Sequence, residues 1–217
     1  MKTDSELQQD VMTELQWEPS IEAAEIGVSV RNGVVTLSGY VDSYIKRWAA
    51  QRVAARVFGV RGVAEELEVR LPGPLERSDD DIARAASNTL EWNVLVPRGR
   101  VNVQVQDGLV NLGGEVDWWY QKNAAEEAVR CLMGVVLFNN EIRVKPPVKP
   151  LDVKNEIESA FRRNALLDSR RVTVETRGGS VILSGSVRNW AERAEAQWTA
   201  WAAPGVSEVE NNIIISP

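Results

Sequence analysis

The sequence has 217 residues, of which 44% are hydrophobic and 26% are charged, a composition typical of a globular protein with one to three domains. It contains no histidine and one cysteine, Cys131, which excludes histidine-based metal sites, histidine general bases and an intramolecular disulfide. The net charge of −6 argues against nonspecific nucleic-acid binding, which needs a basic surface, so no nucleic-acid partner is expected.

The start of the chain, Met1 to Asp10, is polar and acidic and lacks the apolar segment of an export signal. No run elsewhere approaches the ~20 apolar residues that a membrane-spanning helix needs. We therefore expect a cytoplasmic protein with no transmembrane segment.

Three stretches of the chain begin with apolar residues spaced four apart, as on one face of an amphipathic helix. These stripes are Leu7, Val11 and Leu15; Ile82, Ala86 and Leu90; and Val153, Ile157 and Phe161. Residues with capping-box spacing precede the first two stripes, at Thr3/Glu6 and Ser78/Asp81. The acidic run from Asp79 to Asp81 is interpreted as stabilising a helix start, with a cation site as the alternative.

Each stripe is followed by the pattern of two strands joined by a tight turn. Alternating apolar residues, such as Val28 and Val30, indicate a first strand with one buried face. The turns are predicted at three dipeptides that favour positive φ angles: Asn32-Gly33, Asp107-Gly108 and Gly178-Gly179. The returning strand is predicted to end at a repeated glycine, where the backbone bends or passes close to a helix. These glycines lie 75 and then 71 residues apart, at Gly39, Gly114 and Gly185.

A second helix and a last strand complete each stretch, and a glycine just past the helix is expected to be left-handed, at Gly59, Gly134 and Gly205. The order αββαβ thus occurs three times, which predicts an α+β fold of three tandem repeats. Because a helix crossover joins the second strand to the third, each repeat should form a three-stranded mixed sheet with two helices packed on one face. The predicted domains are residues 1–72, 76–146 and 150–217, with proline-bearing linkers that start at Pro72 and Pro146.

The repeated pattern resembles the BON domain family. In the first repeat the resemblance rests on Leu15, Trp17, Pro19, Ile26, Val28, Val30, Asn32, Gly33, Val35, Leu37, Gly39, Val41, Gly59, Val60, Val63, Leu67 and Val69. The second copy repeats the pattern at Gly108, Gly114, Gly134 and Val135, and the third at Gly179, Gly185, Gly205 and Val206. The three copies together cover nearly the whole chain.

The resemblance implies a non-enzymatic domain that is often found in bacterial envelope and osmotic-stress proteins, where binding of phospholipid or membrane surfaces is the usual proposal. Such family members commonly carry an export signal, which is not found in this sequence. A cytosolic relative combines a BON domain with a peptidoglycan-binding-type module and binds potassium, so the resemblance also implies cation sensing as an alternative. No fixed set of family site residues is available to carry over.

The candidate site residues come from positions at which the repeats differ. On the second helix, the face opposite the core carries tryptophans in the third repeat where the second repeat has charged residues. The interface candidates on and beside this face are Trp48, Trp118, Trp190, Trp198 and Trp201. Tryptophans on an outer helix face indicate burial against another surface, which is another repeat, a second copy of the chain, a protein partner or a membrane interface.

The third repeat also carries a cluster of basic residues, Arg162, Arg163, Arg170 and Arg171. They are candidate contacts for phosphate or lipid headgroups, with compensation of the helix dipole as the alternative. Trp17 and Trp92 follow the first helices of their repeats, and half-buried packing over the next loop is predicted for both. Cys131, beside apolar residues and with no histidine to activate it, is interpreted as a packed or inert thiol.

The sequence contains no Ser/His/Asp set, P-loop, dinucleotide fingerprint or paired-carboxylate motif, so neither an enzyme nor a cofactor nor a metal centre is expected. We favour a stress-related binding or adaptor protein that contacts phospholipid headgroups or a protein partner through the outer helix faces. A cytosolic sensor of potassium or calcium, and a structural homo-oligomer closed by the tryptophans, are the alternatives.

Overall fold

The computed structural model describes residues 2–147, 152–165 and 167–216, which form three successive αββαβ units. The first unit comprises α1 (Asp4–Trp17), β1 (Ile26–Arg31), β2 (Val34–Val41), α2 (Tyr44–Arg56) and β3 (Gly62–Val69). The second comprises α3 (Asp79–Trp92), β4 (Val101–Gln106), β5 (Leu109–Val116), α4 (Trp119–Val129), β6 (Leu137–Asn140) and β7 (Arg143–Val144). The third comprises α5 (Val153–Arg163), β8 (Val172–Arg177), β9 (Ser180–Val187), α6 (Trp190–Trp201) and β10 (Glu208–Ile215).

The strand pairing is the same in all three units. The first strand runs antiparallel to the second, and the third strand pairs parallel to the second, so the second strand is central in each sheet. In the middle unit the third strand is interrupted, and its two parts, β6 and β7, both pair with β5. The predicted α+β fold of three repeats with mixed sheets is confirmed.

Each unit has its own hydrophobic core, formed by the two helices and the inward side of the sheet. The predicted stripes on α1, α3 and α5 are buried throughout, and they are the buried residues of those helices. A unit of this size buries only about 60% of the surface that its unfolded chain exposes. Contacts between units are therefore a substantial part of what can stabilise them.

The start of the first helix holds the hairpin turn in the first two units. Asn32 and Gly33 have φ angles of 53° and 78°, as the predicted tight turn requires. The Asp4 carboxylate accepts hydrogen bonds from both of their N–H groups, at 2.8 and 3.0 Å. In the second unit, Asp79 makes the same two bonds to the turn at Asp107, which accounts for the first residue of the acidic run.

The other two members of that acidic run also have partners within the chain. Asp80 pairs with Arg84 at 2.6 Å, one helical turn away. The Ser78 hydroxyl donates to the Asp81 carboxylate and accepts from the Asp81 N–H, so the hydroxyl caps the helix. At the first helix start, both bonds of the predicted capping box between Thr3 and Glu6 are present. These local contacts explain the run as a helix start.

The repeated glycine of the second strand lies inside the strand, because β2 continues beyond Gly39 to Val41. The prediction that this glycine ends the strand is therefore wrong. Gly39 has a φ of 108°, and a side chain there would collide with the carbonyl oxygen of Glu25, just before β1. Gly114 and Gly185 have the same geometry against Arg100 and Arg171. These glycines thus lie against the backbone that precedes the neighbouring strand, and no residue with a side chain would fit there.

In the first and third units, an arginine of the second helix contacts the third strand. In the third unit, the Arg193 guanidinium donates to the carbonyl oxygens of Asn211 and Ile213, at 2.6 and 3.0 Å. These bonds cover part of the free edge of β10, and burial lowers the pKa of the Arg193 guanidinium. In the first unit, Arg47 instead pairs with Glu65 of β3 at 2.6 Å. An edge strand covered in this way is protected from pairing with another chain.

Candidate functional site

The outer faces of the three second helices meet one another. The ring of Trp119, on α4, lies edge-on to the ring of Trp198, on α6, with 4.3 Å between the centroids. It also stacks on Trp201 with 6.0 Å between the centroids and an interplanar angle of 14°. Trp201 packs against the cores of both the second and the third repeat. Trp198 and Trp201 of α6 are therefore in contact with the second repeat of the same chain.

The first repeat contributes to the same contact region. The Trp48 ring, on α2, lies 3.8 Å from the Arg130 guanidinium of the second repeat and 4.7 Å from the Arg52 guanidinium of its own helix. Tyr44 packs beside Phe138 with 6.1 Å between their centroids. We call this region the junction and define it by Tyr44, Trp48, Trp119, Arg130, Phe138, Trp198 and Trp201. Helices α2 and α6 also approach each other directly.

The junction contains charged and polar groups that are only partly compensated. The Arg130 side chain is 12% exposed and lies 3.7 Å from Glu126 of its own helix. Burial lowers the pKa of Lys122 and raises the pKa of Tyr44, and the charge of Glu126 adds to the rise at Tyr44. Within the described residues, three buried donors have no acceptor: the Nε atom of Arg130 and the Nε1 atoms of Trp190 and Trp201. An interface of this polarity resembles a transient protein–protein contact more than a domain core.

The structure thus gives several predicted interface residues partners inside the chain. Trp48 and Trp201 are in the junction, and Trp190 lies under the Arg193 guanidinium at 5.2 Å. Trp118, at the start of α4, is half-buried, whereas Trp198 is 48% exposed. Their role as contacts for an external partner stays a prediction. Such a partner would have to displace contacts between repeats to reach most of them.

The four clustered arginines, Arg162, Arg163, Arg170 and Arg171, lie on the surface of the third repeat around the end of α5 and the following loop. Arg162 donates to the Ser159 hydroxyl at 2.8 Å. The Arg170 N–H donates to Asp168 and lowers the pKa of that carboxyl, to which its guanidinium also bonds. Within residues 2–147, 152–165 and 167–216, Arg163 and Arg171 make no ion pair. Two cationic groups of this cluster therefore remain available to an anion, and their binding role stays a prediction.

The prediction of half-buried packing for Trp17 and Trp92 is wrong. Trp17 is 81% exposed and Trp92 is 88% exposed. Each follows the last residue of the buried helical stripe by two positions, which turns the side chain by about 200° away from the core. That offset was a signal in the sequence that could have identified both residues as exposed.

In the second repeat the exposed tryptophan has apolar neighbours. Val94 is 95% exposed and Leu95 is 51% exposed, and both follow Trp92 in the loop that leaves α3. We call these three residues the tip. Arg98 is exposed a few residues further along, and no ion pair to it occurs in the described part of the chain. The tip is therefore a short exposed stretch with three apolar side chains, followed in the sequence by an exposed arginine.

Three further features bear on the class of site. From the sequence, Cys131 is interpreted as a packed or inert thiol. The side chain is exposed, so it is not packed. No three His, Cys, Asp or Glu side chains come together as a metal site anywhere in the described residues. Outside the few residues that the structure leaves undescribed, no helix has both the length and the apolarity needed to cross a bilayer. The sites described above are contact surfaces formed by aromatic, apolar and basic side chains.

The fold and these surfaces define a class of protein: small α+β domains repeated in tandem and joined through their second helices. The chain matches the BON domain over residues 3–70, 78–146 and 152–217. It therefore belongs to the BON domain family. It is also 32% identical over 148 residues to the Osmotically-inducible protein Y of Escherichia coli strain K12, and the match covers 65% of this chain and 73% of that protein.

Among solved structures, the chain is similar to CdsD, a structural protein of the type III secretion system of Chlamydia trachomatis. The identity is 14%, the match covers 98% of this chain and 93% of that chain, and the TM-score is 0.27. The periplasmic domain of PrgH matches at 11% identity over 95% of this chain and all of that chain, with a TM-score of 0.24. TM-scores this low support no conclusion about function.

Proposed function

We propose that this chain is a non-enzymatic, stress-related protein of the BON type that attaches reversibly to phospholipid surfaces through the tip of its second repeat. The link to stress rests on the similarity to a protein named for its osmotic induction. The cytoplasmic location expected from the sequence stays a prediction. Attachment through the outer faces of the second helices is less favoured, because the junction occupies those faces.

The observation that carries the proposal is the exposure of Trp92, Val94 and Leu95 next to one another. Isolated exposed apolar residues are common, but a protruding group of three marks a contact surface. Tryptophan suits the boundary between headgroups and acyl chains, because its ring is apolar and its N–H can still find a polar partner. Trp17 gives the first repeat a similar but smaller apolar protrusion.

The size of the tip favours a reversible attachment. Full burial of a side chain such as Val or Leu contributes roughly 1.5–3 kcal/mol, so three apolar residues contribute several kcal/mol before the cost of ordering is subtracted. The net charge of −6 opposes binding to anionic lipids, whereas Arg98, Arg163 and Arg171 favour it locally. We therefore expect weak binding that anionic lipid strengthens and salt weakens.

The test is sedimentation of the whole chain with phosphatidylcholine vesicles that contain increasing phosphatidylglycerol. We expect Trp92→Ser combined with Leu95→Ser to weaken binding about tenfold or more, because two apolar contacts are lost. Met133→Ser is the matched control, since Met133 is 57% exposed in another loop of the same repeat. Arg162→Glu combined with Arg163→Glu should weaken binding only to vesicles that contain the anionic lipid.

The phospholipid proposal fails if the native chain is not recovered with either kind of vesicle at low salt. It also fails if the tip variant binds as well as the Met133→Ser control. A protein partner at the tip would then be the remaining explanation for its exposure. No observation in the described residues favours the cation-sensor alternative, and a homo-oligomer closed by Trp198 and Trp201 would compete with the junction.

A further inference from the structure

The first strand of the second repeat is an edge strand with outward-facing backbone groups. Among the described residues, β4 pairs only with β5, through a turn in which Asp107 and Gly108 have φ angles of 50° and 72°. A two-residue turn makes the flanking residues a hydrogen-bonded pair, and such pairs then alternate along the hairpin. The N–H and C=O groups of the intervening residues therefore point away from β5, at Val101, Val103 and Val105.

The first repeat closes the corresponding edge with a side chain. Gln8, on α1, donates from its Nε2 atom to the carbonyl oxygen of Val28 at 2.8 Å. Val28 pairs with Leu37 as Val103 pairs with Leu112, so the two valines occupy the same place in their sheets. At the helical position of Gln8, the second repeat has Ala83, whose side chain carries no donor. The Val103 carbonyl oxygen thus lacks the cover that Val28 has.

A groove lies open along this edge, between α3 and β4. Its volume is about 640 Å³, and all its lining residues belong to the second repeat. Small or apolar side chains form much of its lining: Ala83, Ser87, Leu90, Pro97, Val101 and Val103. In the first repeat, larger residues, Gln8 and Met12, stand where Ala83 and Ser87 stand here. These two differences between the repeats therefore leave the edge of β4 uncovered and widen the space beside it.

The charges along the edge also differ between repeats. β4 contains no charged residue, whereas β1 ends in Arg31 and β8 carries Glu175 and Arg177. Charged residues on an edge strand discourage pairing with another chain, and β4 lacks this protection. Three charged residues also line the groove: Arg84, Glu91 and Arg98. Arg84 pairs with Asp80, whereas no ion pair to Glu91 or Arg98 occurs within the described residues. Arg98 therefore favours an acidic group in the part of an occupant that lies beside it.

We propose that the groove between α3 and β4 binds an extended peptide segment of a partner protein, which adds to the sheet as a fourth strand beside β4. Backbone hydrogen bonds to the outward groups at Val101, Val103 and Val105 would supply affinity, as in other cases of strand addition. Alternate side chains of the peptide would enter the groove, which favours valine or threonine there. An acidic residue near one end of the peptide would pair with Arg98.

The proposal goes beyond phospholipid attachment and does not depend on it. The tip and the groove share the neighbouring cation Arg98, but their other residues differ. A peptide in the groove contacts Ala83 and the backbone of β4, whereas the tip consists of Trp92, Val94 and Leu95. A variant that closes the groove should therefore leave vesicle binding unchanged, so the two proposals can fail separately.

The test uses the whole chain and fluorescein-labelled eight-residue peptides of alternating valine and threonine, with aspartate at either end, followed by fluorescence anisotropy. Ala83→Gln restores the donor that the first repeat has at this position, and glutamine is a good helix former. We expect Ala83→Gln to weaken peptide binding at least tenfold. The matched control is Ala85→Gln, because Ala85 is exposed on α3 and does not line the groove.

A second measurement separates strand addition from general hydrophobic binding. Peptides methylated on alternate backbone nitrogens keep their side chains but cannot form the ladder, and one of the two methylation registers should lose binding. Arg98→Glu should reduce binding of the aspartate peptides several-fold. Equal binding by Ala83→Gln and Ala85→Gln overturns the proposal, and so does a lack of binding by the native chain. Dimerisation that Ala83→Gln abolishes would also overturn it, because a second copy would then be the occupant.

Discussion

The junction and the tip are both rich in aromatic side chains, yet they place them in opposite environments. Trp119 lies between two other tryptophans where the second and third repeats meet. Trp92, in the same repeat, is 88% exposed. Both side chains lie off the core stripe of their helix. The difference is that the face of α4 meets another repeat, whereas nothing in the described residues covers the end of α3.

This comparison shows how the repeats divide structural and functional roles. The aromatic and arginine residues of the junction connect the three domains. The tip and the β4 groove lie outside the junction, and we propose that external partners bind there. Changes at the junction should therefore alter stability, and changes at the tip should alter binding.

The largest effect on stability is expected from Trp119→Ala. Truncating a buried Trp typically costs 3–5 kcal/mol, and we expect about 2–4 kcal/mol here because the ring is only partly buried. Chemical denaturation of the whole chain measures it. Tyr120→Ala is the control, since Tyr120 is adjacent and 49% exposed. A Trp119→Ala loss no larger than that of the control would show that the junction does not form in solution.

A smaller effect is expected for the contact between Trp48 and Arg130. A cation–π pair that is largely desolvated contributes about 1–2 kcal/mol. A double-mutant cycle with Trp48→Ala and Arg130→Ala should therefore give a coupling free energy of that order. A coupling free energy near zero would mean that the first and second repeats are not held together at this point.

Lys122→Met is expected to stabilise the chain, because burial lowers the pKa of Lys122 and so disfavours its charged form. The unfolded chain binds more protons between the lowered pKa and the ordinary value of 10.5, so stability should rise with pH in that window. The side chain is only partly buried, and screening by solvent limits the gain at neutral pH to less than about 1 kcal/mol. Denaturation should show that the variant exceeds the native chain in free energy of unfolding by less at pH about 10 than at pH about 7. A variant less stable than the native chain at pH about 7 contradicts this prediction.

The smallest effect on stability is expected for Trp92→Ser. An exposed side chain with no structural partner should change the free energy of unfolding by less than about 0.5 kcal/mol. The same substitution should weaken vesicle binding several-fold. Together with Trp119→Ala, it tests whether the two kinds of tryptophan have separate roles. A large loss of stability from Trp92→Ser would show that the tip is packed against something in solution.

The repeats made much of the fold predictable. The stripe of Leu7, Val11 and Leu15 predicted a helix with one buried face, and the dipeptide Asn32-Gly33 predicted a tight turn, because both signals depend on local geometry. The glycine at Gly39 was recognised as special, but its position inside the strand was not. Glycine is required at this position because the carbonyl group of Glu25 lies against it. Glu25 is distant in the sequence and comes close only when the strands pair.

The surroundings of the aromatic side chains could not be predicted in the same way. Trp48 and Trp201 were recognised as residues that need a partner, and the partner surface was left open between repeats, copies, proteins and membranes. The structure gives both of them contacts with the second repeat. The open edge of β4 was also not predicted. It becomes evident only by comparison with the first repeat, where Gln8 donates a hydrogen bond to the Val28 carbonyl oxygen.

Three αββαβ domains that resemble the BON family follow from the sequence alone, since helix stripes, turn residues and strand alternation are local and occur three times. The sequence also marks the positions at which the repeats differ. Which of those positions face another repeat and which face solvent depends on how whole domains pack, because an outer helix face gains stability from any complementary surface.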